Sequence, residues 1–204
     1  MNIDQTRFFK LFGPGIPETC PVTDLDDMAY GSLDDRRALL ALARHVQPTT
    51  VIEFGVQAGT TARLLLDEIP RIRKYIGIDL PADELPALEG QNPEVPAVPG
   101  RLVFDHPAFT LLQARSETLK PKQLPKADLI YIDGGHDQAT VRADTLLALD
   151  RIKPNGIIVW HDYHNHSVQV TQAIDNINQT TGDHICLIDG TWIVFLLASA
   201  IEVA

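Results

Sequence analysis

Residues 127–162 read ADLIYIDGGHDQATVRADTLLALDRIKPNGIIVWHD, and this stretch decides the fold class. ADLIYID is an apolar run closed by an acid, the pattern of a strand buried on both faces. Asp137 to Leu149 then places Ala139, Ala143, Leu146 and Leu147 on one helical face. GIIVWHD is a second buried strand. Strand, helix and strand in that order predict a parallel sheet covered by helices.

The same alternation extends outward. Upstream, TTVIEFG (49–55), KYIGIDL (74–80) and FTLLQARS (109–116) read as strands, and TTARLLLDEI (60–69) as a helix. Ser32 offers an N-cap, with Asp34 and Asp35 in the first turn where the helix dipole favours anions. Leu39, Leu42, Ala43 and Val46 follow at helical spacing, so Leu33–Val46 is expected to be an amphipathic helix, ended by Pro48. Downstream, Val168–Asn178 reads as a helix, and HICLIDGTWIVFLLA (184–198) as two strands around an Asp-Gly turn. The expectation is an α/β fold: a doubly wound, seven-stranded sheet, mostly parallel with an antiparallel C-terminal strand.

Residues 1–31 read as an irregular N-terminal arm, with a short helix over Thr6–Leu11 before the stretch GPGIPETCPV. Residues 32–204 then form the domain proper. One insertion interrupts it: 81–100, PADELPALEGQNPEVPAVPG, holds five prolines and two glycines. Proline suits neither ladder nor helix interior, so this is a surface loop, either a tolerated insertion or a lid that selects substrate.

At 204 residues, 45% apolar and 22% charged, the composition is that of one soluble globular domain. The net charge of −10 repels phosphate backbones and anionic bilayers, which argues against nucleic-acid and membrane partners. No apolar run approaches the roughly 20 residues of a membrane span, and the N-terminus lacks the pattern of a secretory signal. The two cysteines, Cys20 and Cys186, cannot form a disulfide framework. The expected setting is the cytoplasm and the expected partner a small molecule. The arm offers a route to homo-oligomers.

In open α/β sheets, ligands bind beyond the carboxyl ends of the strands. The strand ending at Glu53 runs into Gly55, Gly59 and Thr60. The glycines let a turn approach a ligand closely, and the helix that follows offers amides to an anionic group. The spacing is neither the Gly-x-Gly-x-x-Gly of dinucleotide binders nor a P-loop. The next strand closes on Asp79, placed to accept from ribose hydroxyls. Ser116 and Glu117 end a third strand and could flank an adenine or cap a turn. Asp133, His136, His161 and Asp162 close the last two parallel strands. Acids and imidazoles so grouped suit a divalent metal, a general base, or both.

EFGVQAGTT, IGID and LIYIDGGHDQATVRADTLLALDRIKPNGIIVWHDY together resemble the class I S-adenosylmethionine-dependent methyltransferases. More narrowly, they resemble the branch with macrolide-sugar O-methyltransferases and cephalosporin-hydroxylase-like proteins. The resemblance implies a Rossmann-like sheet with S-adenosylmethionine as cofactor. It implies that Glu53, Gly55, Gly59 and Thr60 line the methionine end, that Asp79 holds the ribose, and that Ser116 and Glu117 neighbour the adenine. It also implies Asp133 as a catalytic-site acid and metal ligand and His136 as general base. Two adjacent acids complete the metal site in metal-dependent members. Here the pair is His161-Asp162, so one carboxylate is replaced by an imidazole, which favours softer metals than magnesium. The activity implied is methyl transfer to an oxygen of a small molecule. The rivals are a cephalosporin-hydroxylase-like reaction and a non-catalytic nucleoside-binding protein of the same fold.

Overall fold

Side chains alternate across a strand, so a run that is apolar at every position must be covered on both faces. A computed structural model describes residues 1–14, 16, 31–81, 84, 98–181 and 184–200, and it shows this arrangement. The chain runs β1 (Asn2–Ile3), α1 (Gln5–Phe12), α2 (Leu33–Val46), β2 (Thr50–Phe54), α3 (Thr60–Glu68), β3 (Lys74–Asp79) and β4 (Phe109–Gln113). It continues through β5 (Ala127–Ile132), α4 (Gln138–Arg151), β6 (Ile152–Trp160), α5 (Val170–Thr181), β7 (Cys186–Ile188) and β8 (Val194–Leu197). The sheet order is β1-β7-β8-β6-β5-β2-β3-β4. Among the described strands only β8 runs against its neighbours, pairing antiparallel with both β6 and β7.

One core joins Val51, Tyr75, Leu129, Tyr131, Ile157 and Val159 to helices α1, α2 and α3. The alternate residues Ile52, Ile76, Ile130, Ile132, Ile158 and Trp160 face α4 and α5. The doubly wound, mostly parallel reading therefore holds. The strand count rises from seven to eight, because Asn2 and Ile3 pair in parallel with Leu187 and Ile188. A strand of two residues is too short to carry a period-two signal.

The first twelve residues are more ordered than an irregular arm. The helix expected over Thr6–Leu11 spans Gln5–Phe12, and Asp4 caps it by accepting from the Arg7 amide at 2.9 Å. Phe8 is fully buried, stacked on Phe12 at 5.1 Å and set against Phe195 at 6.1 Å. Burying such a ring contributes about 1.5–3 kcal/mol. Helix α2 has the expected bounds, and its capping box is complete: Asp35 N donates to Ser32 Oγ while Ser32 N donates to Asp35 Oδ2. Strand β6 starts earlier than expected, at Ile152; an irregularity in its pairing with β5 accommodates Pro154. Most of the Pro-rich 81–100 loop lies outside the described residues, as does Cys20. Cys186 is a free, half-buried thiol. No helix among the described residues is long and apolar enough to cross a membrane.

Where β2 begins, Asp128 of β5 acts as a staple. Its Oδ2 accepts from Thr49 N (2.9 Å), Thr49 Oγ1 (2.8 Å) and Thr50 N (2.9 Å), and its Oδ1 faces Lys153 Nζ at 2.8 Å. Burial alone would raise this carboxyl; the bonds from Lys153 and the two threonines outweigh it and hold the group down at about 2. Because the folded value is depressed, the stabilisation is complete above the ordinary value of 3.8 and is lost as pH falls toward about 2. Asp128→Asn should cost on the order of 1–2 kcal/mol at neutral pH. For a domain of this size that lowers Tm by about 2–4 °C per kcal/mol. The gap between variant and wild type should close on acidification from pH 5 to about 2, measured by calorimetric melting. A gap that does not change with pH would rule out the carboxylate as the staple.

Candidate active site

The turn from β2 into α3 is built around glycines that nothing else could replace. Gly55 has φ 81°, and a Cβ there would lie 2.1 Å from the carbonyl oxygen of Asp133. Gly59 has φ 93° and caps α3; a Cβ would fall 2.9 Å from Val103 Cγ2 and 3.2 Å from Gly100 Cα. Helix α3 therefore starts with no side-chain cap. Thr60 Oγ1, in its first turn, is buried without a hydrogen-bond partner. Uncapped first-turn amides and a spare hydroxyl make a receptor for an anion such as a carboxylate.

Asp79 stands at the end of β3 and braces this turn. Its Oδ2 accepts from Val56 N and Gln57 N, both at 2.9 Å, and its Oδ1 from Leu80 N at 2.8 Å. Burial raises its pKa against the pull of these amides. Glu53 lies deeper, almost fully buried, accepting from Tyr75 Oη at 3.0 Å. Burial pushes its carboxyl well above the usual range, and the nearby Asp133 and Asp79 add to the rise. Ser116 is buried. Glu117 points outward, its carboxylate 3.7 Å from Arg115. The pair read as flanking an adenine is thus split between interior and surface.

Beyond β5 and β6 four predicted residues meet. Asp133 Oδ2 accepts from Tyr131 Oη at 3.1 Å. His136 Nε2 lies 3.0 Å from Asp162 Oδ2. His161, 6% exposed, sets Nδ1 3.3 Å from Asp133 Oδ1 and 3.4 Å from Asp162 Oδ2. Asp162 adopts φ 61°, a left-handed conformation that acids tolerate better than most residues, and accepts from Asn165 Nδ2 at 2.8 Å. One ligand atom each from Asp133, His136 and Asp162 falls within 4.8 Å of the others.

The electrostatics follow from this crowding. The bond to Asp162 raises the His136 pKa, against the effect of burial. Burial opposes charge on His161, but Asp133, Asp162 and Asp35 overcome it and carry the ring up to about 12. Burial would also raise Asp162, yet the two imidazoles hold it far below the usual carboxylate range.

Sequence reasoning missed Asp35 as a part of this site. It reads as a first-turn acid favoured by the helix dipole; in the structure it completes the capping box, and its Oδ2 also faces His161 Nε2 at 3.6 Å. Its Oδ1 accepts from the amide of Trp192, 157 positions away. Local pattern carries no signal for that contact. Asp144 was likewise missed: it is buried in α4, pushed up to about 7 mainly by burial, with Oδ1 unpartnered. Its spacing in VRAD placed it on a helix without indicating which way it turns.

Comparison with known proteins agrees with this architecture. No curated protein matches the chain. Among solved structures, the SAH-bound methyltransferase PaMTH1 of Podospora anserina superposes with a TM-score of 0.60 at 14% identity, covering 80% of this chain and 77% of that one. CalS11, a TDP-rhamnose 3′-O-methyltransferase of calicheamicin biosynthesis, gives 0.59 at 18% identity, covering 94% and 92%. The O-methyltransferase TomG of Streptomyces achromogenes, in complex with SAM, gives 0.56 at 15% identity, covering 85% and 83%. At such identities the likeness speaks for the fold. The family model described as "Methyltransferase domain" matches residues 52–163, from β2 through the end of the acid–histidine cluster. That match covers more than half of the chain, and the protein belongs to the methyltransferase-domain family.

Proposed function

We propose that this protein transfers a methyl group from S-adenosylmethionine to an oxygen of a small molecule in the cytoplasm, residues 32–204 forming the catalytic domain. The observation that carries the reading is one juxtaposition. The uncapped glycine turn at the start of α3 lies against the backbone of Asp133, which opens the acid–histidine cluster. An anion-receiving turn for the cofactor and a proton-accepting group for the acceptor thus share one edge. The relatives named above as O-methyltransferases support oxygen as the accepting atom.

The residues fit that cofactor. The open α3 N-terminus and the unpartnered Thr60 hydroxyl suit its carboxylate. Glu53, Gly55 and Gly59 would line the same end, and Asp79 Oδ1, which accepts a single amide, has capacity for a ribose hydroxyl. Ser116 would approach the adenine from the interior and Glu117 from the rim. S-adenosylmethionine supplies, when bound, a methyl already activated by a sulfonium sulfur. What remains for the chain is alignment, which can supply about 7–11 kcal/mol, and removal of the acceptor's proton.

His136 is placed for that removal. Its Nε2 faces Asp162, so the neutral ring carries its proton there and leaves Nδ1 as the acceptor. The acceptor O–H proton passes to His136 Nδ1, and Asp162 stabilises the imidazolium that forms. A divalent ion, the alternative use of this cluster, would draw on Asp133, His136 and Asp162. It fits poorly: His136 could not be both ligand and base, and the His161 ring already lies against both carboxylates.

Calorimetric titration with S-adenosylhomocysteine should give saturable binding to the wild type; none would end the cofactor assignment. Gly55→Ala, strained at φ 81° and blocked by the Asp133 carbonyl, should weaken that binding at least tenfold. His136→Ala should keep S-adenosylhomocysteine affinity within about twofold and lose roughly 10²–10⁴-fold in turnover. Turnover is read as S-adenosylhomocysteine formation across a panel of sugars and phenols. Unchanged turnover would remove His136 as base. Because Asp162 raises the His136 pKa and only the neutral ring accepts a proton, the rate should climb as pH passes above 6.5. In Asp162→Asn, which tolerates the same backbone, that limb should move to lower pH. A profile identical in the two proteins would break the link.

A further inference from the structure

Among the described residues two large aromatic rings are exposed, Phe104 and Trp192. Phe104 belongs to the segment whose Val103 packs on Gly59, at the glycine turn assigned to the cofactor. Trp192 belongs to the acid–histidine cluster. It lies between β7 and β8, is 40% exposed, and stands edge-on to the His161 ring at 5.9 Å. We propose that the exposed face of Trp192 is the platform on which the methyl acceptor rests, and that this acceptor is an uncharged ring bearing the accepting hydroxyl. The inference rests on the methyl-transfer reading and names the acceptor side of that same site.

The chain holds this ring out deliberately. Trp192 N donates to Asp35 Oδ1 at 2.8 Å, and its carbonyl accepts from Tyr163 N at 3.1 Å. The turn before it is equally fixed. Gly190 takes φ 78°, and Thr191 Oγ1 donates to the Ile188 carbonyl at 2.8 Å while accepting from Ile193 N at 3.1 Å. Thr191 and Ile193, on either side of Trp192, are both buried. Trp160 shows the usual fate of an indole: it is 1% exposed and donates its N–H to Thr145 Oγ1 at 2.9 Å. A tryptophan anchored on both sides yet left open to water keeps a large apolar face unburied, and covering that face is favourable.

Its position says what covers it. His161 Nδ1 and His136 Nε2 lie 3.4 and 3.0 Å from one and the same oxygen, Asp162 Oδ2. Trp192 therefore stands one imidazole away from the ring proposed as base. An acceptor that brings its hydroxyl to His136 has Trp192 within reach of its body. Indole offers a flat face to another ring, and it loses little rotamer freedom in doing so. Charge then selects among rings. Asp35, Asp133 and Asp162 outnumber the two imidazoles they surround. A carboxylate or phosphate beside the reacting hydroxyl would meet like charge there, which a neutral ring avoids. A phenol and a pyranose share the required chemistry, a hydroxyl on a ring with an apolar face.

Proton NMR of the full-length protein reads this directly, because two tryptophans give two indole N–H resonances, assigned with Trp192→Phe. Catechol and methyl β-D-glucopyranoside are titrated to about 20 mM, with and without saturating S-adenosylhomocysteine. Each is set against its carboxylated counterpart, 2,3-dihydroxybenzoate or methyl β-D-glucuronide. The Trp192 resonance should shift saturably with at least one neutral probe while that of the buried Trp160 stays in place. The carboxylated counterpart should bind at least tenfold more weakly. By calorimetry the neutral probe should lose at least tenfold in affinity for Trp192→Ala and no more than about threefold for Trp192→Phe. A response to catechol alone identifies a phenolic acceptor, and one to the glucoside alone a sugar. No shift with either neutral probe, equal binding of the carboxylated counterpart, or a folded Trp192→Ala that binds as the wild type does would overturn the proposal. If Trp192→Ala does not fold, the wild-type shift and the charge discrimination decide. S-adenosylhomocysteine binding by the same sample reports separately on the methyl-transfer reading, so the two can fail independently.

Discussion

The close approach of Gly55 to Asp133 governs the rest of the site. Strands β2 and β5 are neighbours, and their ends come so near that the space for a single Cβ is already filled by a carbonyl oxygen. This contact sets the turn into α3 against the turn into α4. Without it, the glycine turn and the acid–histidine cluster would lie on separate parts of the edge. The backbone amides confirm the tightness: Gly55 N donates to Ile78 O at 2.9 Å, and Asp133 N donates to Phe54 O at 2.8 Å. One glycine thus joins β2, β3 and β5 where the chemistry is placed.

Charge is the second organising constraint. The carboxyl ends of the strands gather Glu53, Asp79, Asp133 and Asp162, and they are stabilised in three different ways. Glu53 is kept high by burial, with a tyrosine for company. Asp79 spends its oxygens on backbone amides. Asp133 and Asp162 share a buried imidazole with Asp35. An edge so acidic suits a cationic sulfonium ligand, which long-range attraction would draw toward it. The overall charge of −10 is therefore partly a property of this edge and partly ordinary solvated surface.

The first twelve residues show how a small element completes a larger one. Strand β1 pairs with β7, and the terminal amine of Met1 donates to the Ile185 carbonyl at 3.0 Å. Phe8 and Phe12 then close the open side of the core against Phe195. Sequence pattern foretold a helix here, because a helix of eight residues has a face to read. It did not foretell the strand, whose two residues gain their structure entirely from a partner far along the chain.

Much of the site was legible in local order. Apolar runs placed β2, β3, β5 and β6, so the residues ending those strands had to lie on one edge. That reasoning reached Gly55, Asp79, Asp133, His136, His161 and Asp162 without coordinates. It did not reach Asp35 and Asp144, whose importance comes from what faces them. The periodicity of a chain reports which face of its own element a residue occupies, since that depends only on near neighbours. It does not report the distance between side chains on different elements. The sequence by itself therefore determined the fold and the edge on which these residues lie. Only tertiary packing decided that His161 is enclosed by three carboxylates, because that outcome depends on contacts from α2, β5 and β6 meeting at one buried point.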